Sequence, residues 1–179
     1  VAACSYKALV LYGKRMTVDE VFDVVRRDAM FYDASGGGVT VSGGEPLLQP
    51  AFVSALLERC GDAGIHTCVE TSGCAPEHAV HQVLPYADCW LYDLKLYDPA
   101  RHSEYTGRTN ETILANAAII AASGANVLFR MPIIPGINDE LLYDVNREVK
   151  KRGAFLHNIM PLISEAEEGT VFGLTGQRG

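Results

Sequence analysis

The stretch "VTVSGGEPLLQP" (Val39–Pro50) sets the reading of this chain. A run of strand-forming residues stops at Ser42. Two glycines follow, then a carboxylate at Glu45 and a proline at Pro46. Without Cβ atoms, Gly43 and Gly44 let the backbone approach a ligand and present bare N–H groups. Glu45 offers a carboxylate to a cation such as an ammonium group, and Pro46 stiffens the exit. The same residues also suit a tight strand-to-helix turn with a solvated glutamate. Next, "QPAFVSALLERCGDAG" has helical spacing, with Pro50 in its first turn and Gly64 past its end. Strand, glycine turn and helix make one piece of a βαβ unit.

The unit recurs outward from there. Upstream, Thr17 and Glu20 form a capping box that opens one helix over "VDEVFDVVRRDAMFYDAS". Downstream, "IHTCVET" reads as a strand and "PEHAVHQVLPYA" as a helix or helical turn. "DCWLYDLKL" is a strand, and "NETILANAAIIAASG" a helix with Asn110 as its N-cap. "ANVLFRMPII" is a strand, "INDELLYDVNREVKKRG" a helix and "AFLHNIMPLI" a strand. This alternation predicts an α/β fold with a parallel sheet. A (β/α) barrel and a doubly wound sheet both satisfy it. In both, ligands bind at the carboxyl ends of the strands.

Those ends carry the polar residues. Ser42, Gly43, Gly44 and Glu45 follow the first strand, and Glu70 to Gly73 close the second. Asp93, Leu94 and Lys95 end the third, Arg130 interrupts the apolar fourth, and Asn158 and Met160 end the fifth. The convergence marks a site more strongly than any single motif. Glu70 with Asp93 and Lys95 suits an ion pair, or a cation held by carboxylates and carbonyls. Arg130 inside an apolar strand needs an anionic partner. Glu45 and Glu70 also allow a hydrolase with paired carboxylates.

Bulk properties narrow the classes. The chain has 179 residues, 48% of them hydrophobic, which fits one domain. At a net charge of −7 and with no Lys/Arg block, nucleic-acid and membrane-surface roles get little support. No apolar run approaches a membrane span of about 20 residues. The cysteines are Cys4, Cys60, Cys68, Cys74 and Cys89, and no CxxC pair occurs. Neither a disulfide framework nor a zinc site follows, and a reducing cytoplasm is expected. Cys60, Cys68 and Cys89 read as small buried hydrophobes, Cys74 as a loop thiol. His66, His78, His81, His102 and His157 show no ligand spacing and read as structural or surface residues.

Taken in order, "GKRMTVDEVFDVV", "SGGGVTVSGGEPLLQPAFVSALLERCGDAGIHTCVETSG" and "YDLKLYDPARHSEYTGRTNETILANAAIIAASGANVLFRMPIIPGIND" resemble the glycyl-radical-enzyme activating enzymes. These are radical S-adenosylmethionine proteins of the pyruvate formate-lyase activating type. The resemblance covers roughly Gly13 to Asp139. It implies a partial (β/α) TIM-like barrel with parallel strands, the first βα unit missing. It also implies S-adenosylmethionine bound by Ser42, Gly43, Gly44, Glu45, Glu70, Asp93, Leu94, Lys95 and Arg130. Glu70 and Asp93 are the expected carboxylates of a monovalent-cation site. The implied chemistry is reductive cleavage of S-adenosylmethionine by a 4Fe–4S cluster. The resulting radical takes hydrogen from a glycine of a partner glycyl radical enzyme. A flavodoxin or ferredoxin is the implied electron donor.

Two departures accompany the match. The family's CxxxCxxC cluster motif is not in the sequence. Cys4 resembles the last cysteine of a ferredoxin-like cluster insert, with Ser5 where proline is usual. Residues 1–13 are therefore expected to be a remnant of that insert, and 14–179 a truncated barrel domain. Alone, the chain is expected to lack the cluster and the cleavage reaction, leaving at most a residual S-adenosylmethionine or nucleoside binder. A homodimer through an exposed sheet edge is expected. The second departure is the tail: residues after about 138 resemble the end of the radical domain in the nitrogenase cofactor-maturation protein, as in a recombined or chimeric sequence.

Overall fold

The computed structural model describes residues 13–134, 136–141, 146–147, 149–150 and 155–161. Cys4 and most of the divergent tail lie outside the described residues, as does nearly all of the expected 1–13 remnant.

Five strands form one sheet: β1 (Gly38–Val41), β2 (His66–Thr71), β3 (Cys89–Asp93), β4 (Asn126–Ile133) and β5 (Phe155–Pro161). Every neighbouring pair is parallel, and the spatial order is the chain order. A doubly wound sheet reverses its strand order at a switch point and carries helices on both faces. Among the described residues the strand order shows no reversal, and the packed helices share one face. The architecture is the partial TIM-like barrel.

That division follows from the two-residue period of a strand. On the outer face Val69, Trp90, Tyr92, Phe129 and Met131 meet apolar residues of α3 (Pro50–Asp62), α4 (Glu77–Val83) and α6 (Glu111–Ala122). Trp90, Tyr92 and Phe129 are fully enclosed, and the Tyr92 and Phe129 rings meet edge to face at 5.5 Å. The inner face takes the alternate residues: Thr40, Cys68, Glu70, Cys89, Leu91, Asp93, Leu128 and Arg130. None of these joins the main core cluster.

The capping box at Thr17 is present, with reciprocal bonds to Glu20. The single helix expected after it is broken. α1 (Val18–Val25) gives way to a 3₁₀ turn at Arg26–Asp28 and then α2 (Ala29–Ser35). α1 rests half-buried Val18, Val21, Phe22 and Val25 against α3, whereas Met30 and Phe31 of α2 stay exposed and only Tyr32 reaches the same cluster.

α5 (Pro99–Thr106) was not expected from the sequence. The Asp98 side chain caps it by accepting from Arg101 N–H at 2.8 Å, and Gly107 ends it in the left-handed region. Asp-Pro at its start and a glycine just past its end were the available signal. Asn110 is not a side-chain cap. Its Nδ2 donates to Leu96 and Tyr97 carbonyls at 2.9 and 2.7 Å. In the segment expected as the last helix, the described part is a 3₁₀ turn at Asp139–Leu141 and helical backbone at 146–147 and 149–150.

Candidate functional site

Ser42, Gly43, Gly44, Glu70, Thr71, Ser72, Asp93 and Lys95 line one cavity of about 210 Å³ at the carboxyl ends of the first three strands. Six of these are the residues expected from sequence. Thr71 and Ser72 belong to the same strand end as Glu70.

Two of the lining residues, Glu70 and Asp93, form an ion cluster with Arg130, which is not among the lining residues. Arg130 donates from Nε to Asp93 Oδ1 at 2.8 Å, and from a terminal nitrogen to Glu70 Oε1 and to Asp93. The Arg130 side chain is 15% exposed, so burial penalises its charge, and two carboxylates supply the compensation. The register puts Asp93 beside Arg130, with Glu70 on the strand beyond. Between Phe129 and Arg130 the pairing with β5 skips His157, a bulge of the kind that re-aims a neighbouring side chain. The Arg130 bond, then one from Ser42, holds the Glu70 carboxyl below the usual carboxylate range.

Within the chain, the cation that Glu70 and Asp93 share is the Arg130 guanidinium. Among the described residues no three His, Cys, Asp or Glu side chains gather as a metal site.

Within the chain, Glu45 bridges two loops. Oε1 accepts from Thr71 Oγ1 at 2.6 Å and Leu47 N–H at 3.1 Å. Oε2 accepts from Ser72 Oγ at 2.7 Å and Ser72 N–H at 3.1 Å. All its strong acceptor directions are used. Glu45 therefore staples the loop after β1 to the loop after β2. The two carboxylates of the hydrolase reading are both engaged within the chain, Glu45 by four donors and Glu70 by Arg130. Leu94 packs into the core, and its backbone N–H donates to the Arg130 carbonyl at 2.9 Å.

Buried asparagines hold the rim, a role the sequence reading missed. Asn116 on α6 donates to Gly73 and Ala75 carbonyls at 2.9 and 2.8 Å. Asn138 donates to Lys95 and Pro132 carbonyls at 2.9 and 2.7 Å and accepts from Ile134 N–H. An amide inside an apolar helix, as in "ILANAAII", was the available signal. Gly73 is required for packing, since a Cβ there would fall 1.6 Å from the Tyr92 hydroxyl. The two inner-face thiols Cys68 and Cys89 are cross-strand neighbours. Burial, then the neighbouring Cys89, pushes the Cys68 thiol up to about 12. Cys68 therefore stays protonated, Cys89 is buried beside it, and Cys60 is fully buried.

Comparison with known proteins follows the same motifs. An isethionate sulfite-lyase activating enzyme of Nitratidesulfovibrio vulgaris is 48% identical over 139 residues, 76% of this chain and 45% of that protein. A (2S)-3-sulfopropanediol dehydratase activating enzyme of Klebsiella oxytoca is 45% identical over 135 residues, 75% of this chain and 43% of that protein. The chain thus spans less than half the length of these curated relatives. A crystallised domain of pyruvate-formate lyase-activating enzyme from Bacteroides vulgatus superimposes with a TM-score of 0.60 at 30% identity, covering 79% of this chain and 86% of that one. The relatives are activating enzymes of glycyl radical enzymes. Residues 4–149 match the radical SAM superfamily, and the chain belongs to it.

Proposed function

We propose that this chain is the barrel part of an activating enzyme that installs a glycyl radical on a partner enzyme, and that its inner-face cavity holds S-adenosylmethionine. The observation that carries the reading is the convergence of Ser42, Gly43, Gly44, Glu70, Asp93 and Lys95 on one cavity. Gly44 supplies the test of fit. A Cβ there would meet nothing within 4 Å, and its φ is ordinary. The chain's own packing gives no reason for glycine at that position, whereas close approach of a ligand does. Glu70 and Asp93 present carboxylates toward an ammonium group. Lys95 forms no ion pair among the described residues and is suited to a carboxylate. Glu45 acts on the site through Thr71 and Ser72. Arg130 offsets the charge of Glu70 and Asp93.

The chemistry such a ligand supplies in this family is a 5′-deoxyadenosyl radical, released by an electron from a 4Fe–4S cluster. The described residues do not fit that cluster. Their four free thiols are spread over α3, β2, β3 and a loop, and a cluster needs three or four thiolates together. The scattered thiols favour a second reading for the described stretch taken alone: it binds the ligand without redox chemistry. In the whole enzyme we assign the electron to a flavodoxin or ferredoxin. The free thiols fit a reducing cytoplasm. No helix among the described residues is long and apolar enough to cross a membrane. β1 leaves one edge unpaired among the described strands, and self-association through it fits an exposed edge.

Calorimetric titration with S-adenosylmethionine tests the site. Gly44→Val is expected to fold like wild type and lose the binding heat. Equal heats from the two proteins would overturn the assignment.

A further inference from the structure

Lys95 stands just past the last ladder bond of β3, where the Leu94 N–H donates to the Arg130 carbonyl at 2.9 Å. It is exposed, lines the cavity and forms no ion pair among the described residues. A flexible four-carbon stem separates its ammonium from the backbone. Such a group meets one fixed ligand atom at low entropic cost only where the backbone beneath it is held.

The ladder no longer holds it there, yet the next three carbonyls are all taken by buried amides. Asn138 Nδ2 donates to the Lys95 carbonyl at 2.9 Å. Asn110 Nδ2 donates to those of Leu96 and Tyr97. Both asparagines are fully buried. Asn138 does more than satisfy a loop. Its Nδ2 also donates to the Pro132 carbonyl on β4 at 2.7 Å, and its Oδ1 accepts from the Ile134 N–H at 2.7 Å. One amide therefore ties the end of β3 to β4 beyond the last ladder bond. Its orientation is fixed, since turning it over would set Oδ1 against two carbonyl oxygens. Asp93 is held separately, by the Arg130 guanidinium. Loss of the Asn138 amide thus releases Lys95 from β4 and leaves the carboxylates in place.

We propose that Asn138 is a positioning residue of the site: by clamping the Lys95 carbonyl to β4, it sets where the Lys95 ammonium meets the carboxylate of S-adenosylmethionine. The assignment rests on the cofactor reading above and divides that site in two. Glu70 and Asp93, held by Arg130, serve the ammonium end of the ligand. Lys95, held by Asn138, serves the carboxylate end. An asparagine that only filled the fold would, when removed, weaken every ligand alike.

The test titrates the full chain by calorimetry with S-adenosylmethionine and with its decarboxylated analogue, and reads the ratio of the two dissociation constants. Lys95→Met should lower the preference for the carboxylate about tenfold, the worth of one charge-assisted hydrogen bond. Asn138→Ala should lower it about fivefold, with the analogue bound as in wild type. The milder Asn138→Ser, which keeps one donor, should lower it about twofold. The double variant Lys95→Met/Asn138→Ala should fall no further than Lys95→Met alone, because both changes act through one group. An unchanged ratio in Asn138→Ala, whether or not both affinities fall, overturns the positioning role, as does a double variant below Lys95→Met. An unchanged ratio in Lys95→Met overturns it without any Asn138 variant. Wild-type heat with S-adenosylmethionine beside any of these results leaves the cofactor reading standing, and absent wild-type heat removes both.

Discussion

The two faces of the sheet are built from the same strands under opposite rules. Outward, Trp90, Tyr92 and Phe129 are sealed beneath helices. Inward, Thr40, Glu70, Asp93 and Arg130 carry hydroxyl and charge. Side chains alternate at each residue, so Tyr92 and Asp93 are one step apart and serve different ends. The comparison teaches that stability and chemistry are interleaved in sequence but separated in space. A substitution can therefore damage one while sparing the other.

The largest loss of stability is expected outside. Trp90→Ala empties a fully buried site and should cost about 3–5 kcal/mol in urea unfolding. A cost below about 1 kcal/mol would mean the outer face is not the main core.

On the inner face, Arg130→Met strands two carboxylates. It should cost about 1–3 kcal/mol near neutral pH, less than a fully buried pair because Glu70 and Asp93 are 33% and 24% exposed. Its acid response is more telling. In the wild type the folded Glu70 titrates below its unfolded value. Its contribution is full above about pH 4.3 and is lost as pH falls through the lower folded value. In Arg130→Met the facing carboxylates favour protonation, so stability should rise on mild acidification. Parallel acid profiles for the two proteins would break the comparison.

Glu45→Gln turns one acceptor atom into a donor among groups that donate to it. It should cost about 1 kcal/mol and speed hydrogen exchange at the Ser72 amide. An unchanged exchange rate would show that the staple between the two loops is not under tension. The smallest effect on stability, within about 0.5 kcal/mol, is expected for Gly44→Val, the same change expected to abolish binding of S-adenosylmethionine.

Much of this was legible in the sequence, for local reasons. The strands declared themselves by apolar runs ending in glycine or charge, and Arg130 stood out because it interrupts one. Barrel and doubly wound sheet could not be separated by alternation, since strand order is a tertiary property. The partner of Glu45 was hidden for the same cause: Thr71 and Ser72 lie 26 and 27 residues away. Asn110 looked like a cap because it precedes a helix, yet the loop at Leu96 and Tyr97 claims its amide. His102 offered no ligand spacing, and the structure buries it with Nδ1 donating to the Arg108 carbonyl across a turn.

The strand order has one more consequence. Each strand pairs only with those before and after it in the chain. Every βα unit can then dock as soon as it emerges during synthesis, on an edge that its predecessor has just left open. The sheet grows in one direction, and no early strand waits for a distant late one. The strands whose ends supply the cavity lining, β1, β2 and β3, all precede β4, which carries Arg130. Glu70 and Asp93 thus precede in the chain the residue that offsets their charge, Arg130 on β4.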